Sequence, residues 1–331
     1  FYSLRYNATG LNNTAIGYES IAYNTTGSRN TALGYSSLSL NKTGSNGVAI
    51  GVESQYYAND TLTPWTNTNT SVGYQSLRGS TTAANNTGNS NTALGYQSLL
   101  SNSTGVSNSA HGFKSLYSNT TGNYNTTQGS FSMFSNTTGY ENTAQGYNSL
   151  YSNTTGNDNS AQGIFSLFSN TTGNNNSAQG YSSLFLNTTG GENTAQGMGS
   201  LSSNSTGSRN SAQGYNSLSG NTIGSDNSAI GYFAGSYIAD GLTFNTSSDY
   251  SIYLGADTKA LADDGQNEIV IGFNTIGNGS NTATIGNTSL LRTYLTGVNL
   301  KAGTATAGTA PLKFNSGTLL GTPETGAIEF D

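Results

Sequence analysis

Cysteine is absent from this chain of 331 residues, so disulfide, thiolate and cysteine–zinc chemistry are excluded and the redox compartment is left open. Proline occurs three times, too seldom for collagen or a proline-rich linker. Only 8% of residues are charged and the net charge is −6; the ten Lys and Arg are scattered, leaving no electrostatic footprint for nucleic acid. A single histidine, His111, removes nucleophilic triads and most metal sites. No apolar run approaches the ~18 residues of a membrane span, and neither an initiator Met nor a signal-peptide pattern is seen.

What is abundant is 44 Gly, 21 Tyr, 12 Phe and a great deal of Asn, Ser and Thr. Disordered chains combine few aromatics with high net charge. Here the aromatics suffice to bury apolar surface, provided that the fold spreads it along its length.

Internal repeats explain how. Units beginning at Asn91, Asn108, Asn125, Asn142, Asn159, Asn176, Asn193, Asn210 and Asn227 advance by 17 residues, as do Asn13, Asn30 and Gly47 upstream. Two 22-residue units begin at Gly47 and Asn69, making thirteen units in all. Their extra residues include Pro64-Trp65 and Ser80 to Ala84, which predicts neighbouring loops on one side. The consensus is N-[T/S]-A-x-G-Y-x-S-L-x-x-N-x-T-G-x-x. The chain opens in mid-repeat, Phe1-Tyr2-Ser3-Leu4 aligning with Tyr18-Glu19-Ser20-Ile21. Trimming of a longer parent is the expectation, completion of the coil by another subunit the alternative.

N-T-A-x-G-Y and S-L-[Y/F]-S read as two short strands, and N-T-T-G as a turn. Nothing carries a sustained 3.6-residue period. One unit therefore predicts one coil of an all-β parallel solenoid, with coils about 4.8 Å apart and a rise of about 60 Å over thirteen of them. A solenoid coil cannot bury its apolar face alone, so stacking supplies the core. The repeat Ala and the Leu six residues later become ladders, and the turn asparagines hydrogen-bond from coil to coil. We divide the chain into this solenoid (1–243), a transition to 14-residue units at Asn267 and Asn281 (244–297), and a β-rich neck or shaft segment (298–331).

The motifs NTAIGYES, GVAIGVES, NEIVIG and NTATIG are similar to the head repeats of trimeric autotransporter adhesins and to related repeats of bacteriophage tail fibres. The likeness covers roughly residues 1–297 and is strongest in the 14-residue units; the 17-residue units are a longer variant. The C-terminal stretch resembles the segment before the tip or chaperone region of environmental tail fibres. The resemblance implies a left-handed β-roll, three chains around an axis, an extracellular location on a cell surface, secreted filament or virion, and contact with a surface glycan or receptor. It brings no catalytic residue and no cofactor. Alternatives are a subunit of a head-to-tail filament and a polysaccharide-degrading enzyme.

Three residues after the repeat Asn, the column reads Ile16, Leu33, Ile50, Val72, Leu94, His111, Gln128, Gln145, Gln162, Gln179, Gln196, Gln213 and Ile230. Alternate strand residues share a face, which places this column beside Tyr18, Tyr96, Tyr147 and Tyr215. His111 and the six glutamines are the candidate ladder at a trimer axis, a solvated polar ladder being the alternative. On an axis His111 occurs three times, where it serves as a hydrogen-bonded interface residue or shares a metal or anion.

A second stripe, Tyr117, Phe134, Tyr151, Phe168 and Phe185, is the candidate for stacking against sugars, with interface or core packing as the alternative. Asp263, Asp264, Glu19 and Glu53 are the carboxylates a glycosidase would draw on, and loop or surface solvation also accounts for them. The sequons at Asn24, Asn41, Asn102, Asn119, Asn136, Asn153, Asn170, Asn187 and Asn204 recur because N-x-T-G is a turn, so they signal glycosylation only weakly. The calcium-roll pattern is absent. Threonine rows invite ice binding, but the adjacent threonines of N-T-T lie in a turn.

Overall fold

The protein is described by a computed structural model over residues 1–290; the segment expected at 298–331 lies outside the described residues. The described chain is a parallel β-solenoid. Sixteen three-residue strands form one sheet in which each strand pairs with the next coil's, from Thr14–Ile16 to Ala283–Ile285. Register keeps equivalent repeat positions opposite one another: Thr143 faces Ser160, Ala144 faces Ala161 and Gln145 faces Gln162.

Among the described residues each coil holds one strand of this sheet, and only the coils carrying Gly44–Ser45 and Trp65–Thr66 add a second, two-residue strand. The expected second strand, S-L-[Y/F]-S, is a segment in which every other residue takes a left-handed φ, as at Asn148 (54°) and Leu150 (52°). Its amides reach in opposite directions: Asn148 N–H donates to Ser130 O of the preceding coil, and Leu150 N–H to Ser166 O of the following one. Left-handed φ costs an ordinary residue about 1–2 kcal/mol, and these inter-coil bonds hold it in place. The bend out of the strand falls to Gly146, whose φ is 136° and whose Cβ, if present, would lie 2.5 Å from Gly163 O. Only glycine fits there.

The core is two side chains wide. Ala144 and Leu150, with the Ala and Leu of the coils from there to Ala212 and Leu218, are fully buried, and the Leu alone stabilises each such rung by about 1.5–3 kcal/mol. Two asparagine ladders flank it. Asn142 Oδ1 accepts from both the backbone N–H (3.0 Å) and Nδ2 (3.1 Å) of Asn159. Asn153 Oδ1 accepts from Asn170 Nδ2 at 2.8 Å, while Asn153 Nδ2 caps Gly156 O at 2.9 Å. These buried amides are satisfied by identical amides one coil away, which is why the sequence repeats them.

The apolar core breaks into two clusters, one ending at Ala58 and the other starting at Leu77. Gln55 occupies the Leu position there and Ser71 the Ala position. Gln55 Nε2 donates to Val48 O (2.8 Å) and Ser71 Oγ (3.1 Å), and Gln55 Oε1 accepts from Asn67 Nδ2 (2.9 Å).

The sheet does not stop at residue 243. Strand Ser228–Ile230 pairs with Ile252–Leu254, which pairs with Ile269–Ile271 and then with Ala283–Ile285. The coil steps change to 24, 17 and 14 residues. The 24-residue coil carries a loop closed by an antiparallel bridge between Tyr237 and Phe244, which the sequence pattern did not reveal.

Candidate functional site

The strand places its first and third residues outward and its second inward. Thr143 and Gln145 therefore face away from Ala144. Gln128, Gln145, Gln162, Gln196 and Gln213 are exposed on the single chain, and His111 and Gln179 are half-buried. Neighbouring amides pair: Gln196 Nε2 donates to Gln179 Oε1 (2.8 Å) and Gln213 Nε2 to Gln196 Oε1 (2.9 Å). The ends of the same column are apolar and open, with Ile16 60% and Ile230 51% exposed. His111 lies between Leu94 and Gln128 and has its Nε2 3.4 Å from Ser109 Oγ of its own strand. Among the described residues, no three His, Asp or Glu gather where they could hold a metal. The strand ends at Gln145, so Tyr147 begins the next segment instead of continuing an extended face, as the alternation rule had suggested.

The stripe Tyr117, Phe134, Tyr151, Phe168 and Phe185 is half-buried and continuous. Centroids lie 5.0, 5.2, 5.3 and 5.3 Å apart with planes within 15° of parallel. Sugar stacking uses the face of a ring. In this stack each inner face is covered by the ring of the next coil, and the ring edges are what remain. Phe131 and Phe165 stand across the stack, at 61° to Phe134 and 76° to Phe168. They also meet Tyr147 edge-on, at 86° and 82°. The result is an edge-to-face belt. Its signal was present in the sequence: aromatic residues alternate between adjacent positions in successive coils, Phe131, Tyr147, Phe165, Tyr181, a two-coil period hidden under the 17-residue one.

The sequon asparagines are closed. Asn119, Asn136, Asn153, Asn170, Asn187 and Asn204 are fully buried in the second ladder, Asn24 and Asn41 equally so, and Asn102 nearly so. A glycan on any of them has no room in the folded coil.

The carboxylates serve the scaffold. Glu53 Oε2 accepts from Arg78 Nε and from Gln75 Nε2, both at 2.9 Å, and Gln97 Nε2 continues the row to Gln75 Oε1 at 2.8 Å. Burial pushes the Asp263 carboxyl up. Hydrogen bonds from Thr246 and Ser247 outweigh this and hold it below the ordinary range. Glu19 sits half-buried in the same outer column as Glu53.

The two 22-residue coils meet at one corner, as expected of adjacent equal insertions. Asn86 Nδ2 donates to Tyr57 O and to Ser80 O, and Asn86 Oδ1 accepts from Ser80 N–H (2.9 Å). Trp65–Thr66 of the first insertion pairs in parallel with Gly44–Ser45 of the coil before it. A small cavity between the insertions is lined by Tyr57, Trp65, Leu77 and Asn86. No helix among the described residues is long and apolar enough to cross a membrane. No family model, no curated protein and no solved structure matches this chain.

Proposed function

We propose that this chain is one strand of a non-enzymatic, extracellular trimeric fibre that spaces and attaches, as a phage tail fibre or the head of a cell-surface adhesin. One observation carries the reading: on a single chain, the outer column of the sheet is exposed or half-buried along its length, aliphatic at both ends and amide in the middle. Contiguous exposed aliphatic side chains on a regular sheet are a contact surface. Identical chains with identical coil spacing meet such a surface rung against rung, and closed symmetry then limits the assembly. Burying the column removes Ile16, Leu33, Ile230 and Leu254 from water. The central glutamines satisfy one another as Gln179, Gln196 and Gln213 already do within one chain.

Light scattering on the purified fibre tests this. The expected mass is three times the 34.1 kDa of one chain, independent of concentration. A single-chain mass contradicts the reading. Particles that lengthen with concentration replace it with a head-to-tail filament, and release of reducing ends from a capsule replaces it with a polysaccharide-degrading enzyme.

A further inference from the structure

The 22-residue coils do more than interrupt the shaft. Where the second insertion leaves the coil, it flanks an open groove of about 370 Å³, at the low end of ordinary ligand sites and sized for roughly one or two sugar rings. Arg78, Ser80, Thr81, Leu100, Ser101 and Thr120 line it.

The chemistry of this lining is specific. Arg78 Nε is engaged by Glu53 Oε2 at 2.9 Å, and its guanidinium lies over the ring of Tyr57 with 4.9 Å to the centroid. Among the described residues neither Nη nitrogen has a protein partner, so a rigid edge of N–H donors is left over. The Thr81 and Ser101 hydroxyls likewise donate to no described protein group, whereas Thr120 Oγ1 donates to Thr137 O and keeps lone pairs to accept with. Leu100 supplies one apolar contact. No carboxylate or ammonium lines the groove, and Glu53 already balances the charge of Arg78.

We infer that this groove is a binding site for a neutral saccharide. A planar guanidinium edge with uncommitted N–H groups suits vicinal hydroxyls, and the surrounding hydroxyls both give and accept. A Leu presents the surface that the C–H face of a pyranose covers. An anion gains little from an arginine whose charge is compensated, and an apolar ligand leaves the hydroxyls unpaired. The inference rests on the attachment reading and names its ligand class. In a trimer the groove occurs three times, so weak individual sites act together.

The test uses the full fibre on an array of neutral and acidic glycans, with two substitutions. Ser101→Tyr fills the groove. It keeps the fold because the same coil position is Tyr23, Tyr57, Leu40 and Leu186 elsewhere. Ser152→Tyr makes the same change three coils away. Neutral glycans are expected to bind, with at least a tenfold loss for Ser101→Tyr and none for Ser152→Tyr. Retention of glycan binding by Ser101→Tyr, or binding confined to acidic glycans, overturns the groove assignment while leaving attachment intact. A fibre of trimeric mass that binds no glycan on the array overturns the groove assignment and the glycan-attachment reading together, while the trimer stands.

Discussion

Gly235 stands where the ring of Tyr253 needs its space: a Cβ on Gly235 would lie 2.5 Å from Tyr253 Cδ2. Gly235 occupies the Leu position of its coil, and Tyr253, fully buried, occupies the Ala position of the next. One large ring has replaced an Ala–Leu pair at constant volume. Tyr253→Ala alone leaves a cavity and costs about 3–5 kcal/mol. Gly235→Leu alone clashes with the ring. The double variant restores the ordinary ladder, and leucines elsewhere in it take the same left-handed φ (Leu218, 50°). Thermal unfolding should rank the double variant above both single ones; a double variant less stable than Tyr253→Ala removes the exchange as an explanation.

Gln55 is the polar break in the core, and its partners hold it there. Gln55→Leu restores the apolar ladder but strands Asn67 Nδ2, whose side-chain partner is Gln55 Oε1. The expected result is a loss of about 1–3 kcal/mol despite the gain in hydrophobicity. A gain in stability on denaturant titration contradicts this.

In the second asparagine ladder, Asn153→Ala leaves Asn136 Oδ1 without its donor and removes one of the two acceptors of Asn170 Nδ2, which keeps Gly173 O. A loss of about 1–3 kcal/mol is expected for the buried Asn136 Oδ1 left unpaired. Hydrogen exchange should show the extra opening centred on the coils either side of residue 153.

Asp263 gives the acid response a sign. Its pKa is lowered in the folded state, so its contribution is present above the unfolded value, near 3.8, and fades as pH falls through the lower folded value. Asp263→Asn should therefore be less stable than the wild type at neutral pH and should converge on it in acid. Parallel pH profiles for the two proteins contradict this.

The thirteen repeat coils, their register and the Ala, Leu and Asn ladders were legible because each depends on a side chain meeting its own kind one unit later, whereas the coil holding Ile252–Leu254 was not, because its step is 24 residues and its strand carries Tyr253 in place of Ala. Nor was the second segment of the repeat coil. Serine, leucine and tyrosine suit a strand, and the alternating φ is imposed by hydrogen bonds that exist only once coils stack. Gln55 and Gly235 escaped notice for a related reason: each is a gap in a ladder, and its meaning lies in Asn67, Ser71 or Tyr253, residues distant in sequence. The aromatic stripe was found in the right place, but the sequence held no information on ring orientation, which decides against its inner faces as a sugar platform.

The measurement that bears most directly on the shared-axis fibre uses the absence of cysteine. A nitroxide attached to Gln162→Cys in the outer column is compared with one attached to Thr155→Cys, an exposed turn residue of the preceding coil. The account predicts strong dipolar broadening at residue 162, from three labels crowded at the axis, and a narrow spectrum at residue 155. Narrow spectra at both positions in a protein of trimeric mass would contradict it.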